Sequence, residues 1–220
     1  MRREELARLI EHTNLRPDAT EADIRRLAEE AKEYGFRAVV VNPSRIPLAR
    51  DLVEGTGILV VTVIGFPLGA TTTEAKVFEA ENSIQLGADE LDMVMNVGLF
   101  KDGREREFRM DISRVVSKAS EYGVPVKVIL ETGLLTEEEI FRASRIAVEE
   151  GAAFVKTCTG FGPRGATVED VRIMKRAVGD RAGIKAAGGI RDAKTAIAMI
   201  EAGATRIGAS RSVRILETLE

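Results

Sequence analysis

Two lysines stand in short runs that read as strands: Lys156 in Phe154-Val155-Lys156-Thr157 and Lys185 in Ile184-Lys185-Ala186-Ala187. A primary amine can attack a carbonyl and, by losing water, form a Schiff base, but only when unprotonated. A free lysine has a pKa of about 10.4, so under about 0.1% of it is amine at pH 7. Two ammonium groups ~5 Å apart, at an effective dielectric of ~20, repel by about 3 kcal/mol. That is roughly two pKa units, and burial disfavours the charged form further. Two lysines on neighbouring strands are therefore a means of making a nucleophilic amine. The same spacing also suits a structural role in which both pair with Asp92, Glu90 or Glu131. Asp92 could move protons for carbinolamine formation and next to an iminium, or it could serve as counter-ion to a lysine.

A second kind of chemistry is anion binding. Gly188-Gly189-Ile190-Arg191 and Gly208-Ala209-Ser210 each follow a strand-like run. Glycines let backbone N–H groups approach a phosphate. In barrel enzymes the loops after the seventh and eighth strands commonly hold one. Other constellations are excluded or weak. His12 is the single histidine, so a multi-histidine metal site is impossible, and no serine motif accompanies it. Cys158 reads as a small buried side chain that shares parity with Lys156. Gly160-Phe161-Gly162 lacks the third glycine of a dinucleotide fingerprint.

The elements that must position these residues repeat in a rhythm. β-Branched runs at Arg37–Asn42, Ile58–Ile64, Glu90–Asn96, Val126–Glu131, Ala153–Thr157, Ile184–Ala187 and Thr205–Gly208 alternate with amphipathic stretches, the signature of βα units. Glu11–Asn14 makes an eighth strand. Thr20 with Asp23, Thr136 with Glu139 and Thr167 with Asp170 predict capped helix starts. Gly35, Gly87, Gly123, Gly151 and Gly203 fall where helices end before the next strand.

Alternate residues of a strand face opposite ways. Leu91, Met93 and Met95 oppose Glu90 and Asp92; Val126 and Val128 oppose Lys127; Ile184 and Ala186 oppose Lys185; Ile207 opposes Arg206. An open sheet covered by helices on both faces should be apolar on both. One apolar and one charged parity instead predicts a closed (β/α)8 TIM barrel, a single α/β domain over residues 1–220, with charges of both signs converging inside. Unpaired, each would cost several kcal/mol.

Composition sets the remaining bounds. With 220 residues, a net charge of −3 and 45% hydrophobic residues, the chain suits one globular unit. It lacks the basic excess of a nucleic-acid surface. A single cysteine permits no intrachain disulfide. No apolar run approaches the ~20 residues of a membrane span, and residues 1–13 do not read as a signal peptide. The expectation is a cytoplasmic protein without nucleic-acid or membrane partners.

Eight segments, in order, resemble the deoxyribose-phosphate aldolase family over nearly the whole chain. They are Ile10-Glu11-His12-Thr13-Asn14-Leu15, Val41-Asn42-Pro43-Ser44, Val63-Ile64-Gly65-Phe66-Pro67-Leu68-Gly69, Gly87-Ala88-Asp89-Glu90-Leu91-Asp92, Lys127-Val128-Ile129-Leu130-Glu131-Thr132, Lys156-Thr157-Cys158-Thr159-Gly160-Phe161-Gly162, Lys185-Ala186-Ala187-Gly188-Gly189-Ile190-Arg191 and Gly208-Ala209-Ser210. The resemblance implies reversible cleavage of 2-deoxy-D-ribose 5-phosphate to D-glyceraldehyde 3-phosphate and acetaldehyde, with no cofactor and no metal. It implies Lys156 as the Schiff-base lysine, Lys185 as the group tuning its pKa and Asp92 as the proton relay. Gly160, Gly188, Gly189, Arg191, Gly208 and Ser210 would hold the substrate phosphate. It also implies a homo-oligomer, dimer or tetramer.

Three positions depart from that family's pattern. Arg211 stands where a second serine is common, Glu11 replaces a more usual aspartate, and the tail Ile215–Glu220 lacks the tyrosine that assists proton transfer in some members. Two other readings remain beside the aldolase: another phosphosugar barrel enzyme, such as an isomerase or a transaldolase-like transferase, and a non-catalytic phosphosugar binder.

Overall fold

The computed structural model describes residues 1–219; Glu220, the last residue of the expected domain and of its tail, lies outside the described residues. Eight strands form: β1 (Ile10–Asn14), β2 (Ala38–Val41), β3 (Leu59–Ile64), β4 (Glu90–Val94), β5 (Val126–Ile129), β6 (Phe154–Lys156), β7 (Gly183–Ala187) and β8 (Arg206–Ala209). Every neighbouring pair is parallel. β8 pairs back to β1, so the sheet closes in sequence order. This is the (β/α)8 barrel that strand parity predicts.

The surrounding helices are α1 (Arg3–Ala7), α2 (Glu21–Tyr34), α3 (Ile46–Val53), α4 (Thr73–Gln85), α5 (Val97–Lys101), α6 (Glu105–Ser120), α7 (Glu137–Glu149), α8 (Val168–Val178), α9 (Ala193–Glu201) and α10 (Ser212–Glu217). α2, α7 and α8 start on the three expected capping boxes, each satisfying backbone N–H groups that the first turn leaves unpaired. The helix-ending glycines all take positive φ. α2 buries Ile24, Leu27, Ala28 and Ala31, one stripe at helical spacing. Met174 is buried core on α8. Among the described residues no helix is long and apolar enough to cross a membrane.

Four strands stop sooner than the sequence pattern suggests; β2 ends at Val41 because Asn42 opens the 3-10 turn Pro43–Arg45. Asn96 leaves the sheet to cap α5, its side chain accepting from the Leu99 N–H at 3.1 Å. Glu131 turns to φ +57° and opens a short 3-10 turn, Thr132–Leu134. Thr157 falls one residue past β6, its N–H still donating to the Lys185 carbonyl at 3.1 Å.

Outward parities pack beneath the helices as one large apolar core. The lumen is divided. On the β1–β3 side it is apolar, built from Leu15, Ala38, Val40, Val61 and Val63. The β4–β8 side carries Glu90, Asp92, Lys127, Lys156 and Lys185, all buried, and Glu11 of β1 reaches toward them. That split gathers the buried charges of the lumen into one sector, where opposite charges can meet.

Candidate active site

β-Sheet register explains which charges meet. Asp92 lies opposite Lys127 on β4 and β5. Lys156 lies opposite Lys185 on β6 and β7. Lys127 pairs with Phe154, two residues before Lys156 on the same strand, so the two inward lysines occupy successive side-chain layers, ~7 Å apart along the barrel.

Asp92 joins the layers. Its Oδ2 accepts from Lys156 Nζ at 2.8 Å and from Lys185 Nζ at 2.6 Å. Its Oδ1 accepts from Lys127 Nζ at 2.9 Å. Lys185 also donates to Glu11 Oε2. Lys127 meets Glu90 at 2.7 Å and Glu11 at 3.7 Å. Three ammonium groups and three carboxylates thus neutralise one another in a sector closed to water, the condition under which buried charge is tolerated.

The balance is uneven, and the pKa values follow it. Burial is the largest influence on Lys156 and lowers its pKa; Asp92 pulls it back up, Lys185 pushes it down, and the result is about 8. At pH 7 roughly one molecule in ten then carries a free amine there, about two hundredfold more than an ordinary lysine. For Lys127, burial also acts downward, but Asp92, Glu11 and Glu90 together outweigh it and hold the ammonium above its ordinary range. Asp92 resists burial because Lys127, Lys156 and Lys185 face it, and its carboxyl stays well below the usual range. Like-charge repulsion therefore contributes less to Lys156 than the spacing argument implies; dehydration leads.

Above the lysines, at the C-terminal ends of the strands, a cleft of about 650 Å³ opens. Lys156 lines it together with Gly160, Gly188, Gly189, Arg191, Gly208 and Ser210; Lys185 and Asp92 lie beneath its floor. The structure thus gathers the expected site residues into one place, in two tiers. Arg211 also lines this cleft, beside Ser210. Cys158 does not; it is buried, its thiol 3.3 Å from the Thr132 hydroxyl, and burial raises its pKa. A second depression, about 660 Å³, lies at the opposite pole around Arg8, Lys32 and Arg37, and neither lysine of the pair reaches it. Among the described residues no group of three His, Cys, Asp or Glu side chains could hold a metal ion.

Two glycines matter through what stands against them. A Cβ on Gly208 would lie 2.9 Å from the Lys185 side chain at Cε, so that residue makes room for the lysine as well as lining the cleft. A Cβ on Gly162 would lie 2.5 Å from Glu131 Oε1. Glu131 is buried in a left-handed conformation, and its Oε2 accepts from the Thr159 N–H at 3.2 Å and from the Thr159 hydroxyl. It anchors the loop that carries Gly160 and Phe161. Strain of this kind persists only where neighbours enforce it. Thr157 makes a further clamp: its hydroxyl donates to the Ala187 carbonyl at 2.8 Å and accepts from the Ala187 N–H at 2.9 Å, stapling β6 to β7 beside the two amines.

Comparison with known proteins identifies the family. Residues 9–213 match the model of the DeoC/LacD family aldolases. The chain belongs to the DeoC/LacD family of aldolases. It is 58% identical over 216 residues to a deoxyribose-phosphate aldolase of Aciduliprofundum boonei, covering 98% of this chain and 97% of that one. To the enzyme of that name from Thermococcus gammatolerans it is 56% identical, covering 97% and 96%. Its fold superimposes with a TM-score of 0.92 on the deoxyribose phosphate aldolase of Aeropyrum pernix, 37% identical, covering 98% of this chain and 91% of that one. Family membership decides for an aldolase over an isomerase or a non-catalytic binder.

Several members of this aldolase site do not stand out in the sequence. Parity turns Lys127 and Lys156 inward together, but it does not bring in Glu11 or say which of the inward charges meet. The usable signal was the register of β4 on β5, which sets Asp92 beside Lys127. Glu131 carries no sequence mark of its positive φ. His12, set aside as a lone histidine, lines the cleft wall.

Proposed function

We propose that this aldolase reversibly cleaves 2-deoxy-D-ribose 5-phosphate to D-glyceraldehyde 3-phosphate and acetaldehyde through a Schiff base on Lys156. The observation that carries the reading is a buried lysine whose pKa is drawn down to about 8 and which alone of the pair lines the cleft. The amine of Lys156 attacks C1 of the open-chain aldehyde, and loss of water leaves an iminium. The iminium draws the C2–C3 bonding electrons as the C3 hydroxyl gives up its proton. D-Glyceraldehyde 3-phosphate departs, and the enamine left on Lys156 takes a proton at C2. Hydrolysis then frees acetaldehyde and the amine.

Asp92, 2.8 Å from Lys156 Nζ, is placed to accept the ammonium proton that must leave before attack. Lys185 disfavours the charged form of Lys156 and holds Asp92 from the other side. Gly160, Gly188, Gly189, Arg191, Gly208 and Ser210 receive the phosphate. Arg211, at the same rim, supplies a charged contact where relatives of this kind carry a second serine. The reaction needs no cofactor and no metal. The active protein is a cytoplasmic homo-oligomer, dimer or tetramer, of one barrel domain spanning residues 1–220; the Aeropyrum pernix relative is described as a tetramer.

Incubation with acetaldehyde and borohydride, followed by peptide mass mapping, tests the assignment. The peptide bearing Lys156 should gain an ethyl group, because reduction fixes the Schiff base as a secondary amine. An unmodified Lys156 peptide under conditions that support turnover defeats it.

A further inference from the structure

The pole of the barrel where the strands begin, opposite the cleft, carries a depression of about 660 Å³. Small-molecule sites fall in this size range. Arg8, Lys32 and Arg37 line it, and no acidic residue does. Arg8 caps the end of α1, Lys32 lies in the last turn of α2, and Arg37 immediately precedes β2. None of the three has an ion-pair partner among the described residues. The chain does not lack carboxylates, with 35 Asp and Glu against 32 Lys and Arg. On the same helix as Lys32, Arg25 and Arg26 pair with Glu21 and Asp23 at 2.6 and 2.7 Å.

Helix polarity accounts for part of this lining. The negative ends of α1 and α2 point to this pole, and Arg8 and Lys32 offset them. Arg37 has no such duty. It stands in the turn entering a strand, and its Nε is buried with no hydrogen-bond partner among the described residues. A buried donor left without an acceptor is destabilising. Arg206, on β8, repeats the pattern from the other side of β1. Its Nε is also buried and unpaired, the Glu11 carboxylate approaching only to 3.8 Å. Burial lowers the pKa of Arg206 and Arg37 lowers it further, against Glu11 and Glu90. The two guanidiniums therefore sit close enough to repel.

Cations that repel, donors without acceptors and a lining free of acid are relieved together by an anion. We propose that this depression is a second anion site, separate from the cleft, and that it takes a small molecule bearing a diphosphate. Charge selects the diphosphate. A phosphate monoester brings about −1.5 to −2 at pH 7, which leaves one of the three lining cations unmatched; a diphosphate matches them all. Arg37 is the anchor, because its planar fork can hold two phosphate oxygens at once. Ala31, Ile58 and Leu59 give the organic part of the ligand an apolar wall. Lys156 lies at the other ends of the strands, so the site and its test are independent of the aldol-cleavage reading.

Inorganic pyrophosphate is titrated into the deuterated, ¹⁵N-labelled protein while its amide spectrum is followed, with inorganic phosphate and with chloride at matched ionic strength as comparisons. The amide signals of Gly35, Phe36, Arg37, Gly57 and Ile58 should move to saturation with pyrophosphate, more weakly with phosphate and not with chloride. Signals of Gly188 and Gly208 report the cleft separately. Arg37→Met keeps the stem and removes the fork; it should raise the Kd read at the pole about tenfold or more, the size of a charge-assisted hydrogen bond. Arg8→Ala, at an exposed position that folding tolerates, should raise it about threefold. kcat and KM for deoxyribose 5-phosphate should stay within about twofold of the parent in both variants, since neither residue reaches the cleft. Pole signals that chloride moves as far as pyrophosphate, that never saturate, or that keep the parent's Kd in Arg37→Met overturn the site. Pole signals that move with protein dilution and not with pyrophosphate overturn it too, and assign the face to a contact between copies of the chain.

Discussion

Lys156 and Lys127 reach the same carboxylate, both are buried, and they stand one side-chain layer apart, yet their acidities are displaced in opposite directions. The lower lysine is ringed by Asp92, Glu90 and Glu11. The upper one has Asp92 alone, which it shares with Lys185. A buried amine is thus reactive or inert according to how many carboxylates its layer supplies. Dehydration acts on both; only the lower layer compensates for it. The barrel separates a structural ion cluster from a reactive amine by a single step along its axis.

The largest expected effect breaks the upper layer. Lys156→Met should lower kcat by at least about 10³-fold, the scale on which loss of a covalent nucleophile is felt. It should also stabilise the fold. The pKa of Lys156 is about 8 folded against 10.5 for an unperturbed lysine, so between those values the unfolded chain binds more protons and stability rises with pH. Below about pH 8 the penalty is complete, on the order of 3 kcal/mol, and urea titrations at pH 7 should show the methionine variant gaining up to that amount. The parent's rise in stability above pH 8 should vanish in the variant.

Lys127→Met should do the reverse. Asp92, Glu90 and Glu11 would lose their shared cation, and breaking a buried pair by removing one partner costs about 3–5 kcal/mol. Urea unfolding reads it directly. Equal and opposite results for two lysine-to-methionine changes would sharpen the layer argument; a shared sign would end it.

Lys185→Leu perturbs the link between layers. Lys185 pushes the pKa of Lys156 down, so its loss raises that pKa and moves the rising limb of the kcat/KM profile to higher pH. Lower activity with an unmoved limb would assign Lys185 a purely positional part. The smallest effect is expected at the rim. Arg211→Ser should raise KM for the phosphorylated sugar about three- to tenfold, one charge-assisted contact in a solvated place, and leave 2-deoxyribose untouched.

Much of this was readable before any coordinates. The barrel follows from Lys127 and Lys185 facing away from their apolar neighbours, because an open covered sheet would have no place for them. The capped starts at Thr20, Thr136 and Thr167 depend on contacts within four residues, so sequence reports them well. What sequence does not carry is the height of each residue along the barrel, which depends on the stagger accumulated around eight strands. The place of Lys156 near the C-terminal end of its strand run points to the active-site end of a barrel, but its one-layer offset from Lys127 is not in the sequence. Glu11 escapes for the same reason: closure of β8 on β1 brings it to Lys185. His12 escapes because its partners come from two helices on the far side of the strand.

The staple formed by Thr157 and Ala187 bears on how such a site can change over time. It adds two side-chain bonds to the main-chain ladder that sets Lys156 beside Lys185. A change at that one hydroxyl, Thr157→Val for instance, keeps the volume and releases the clamp. The reactivity of the amine can therefore be adjusted by inheritance at a position that never meets the sugar, while both lysines stay as they are.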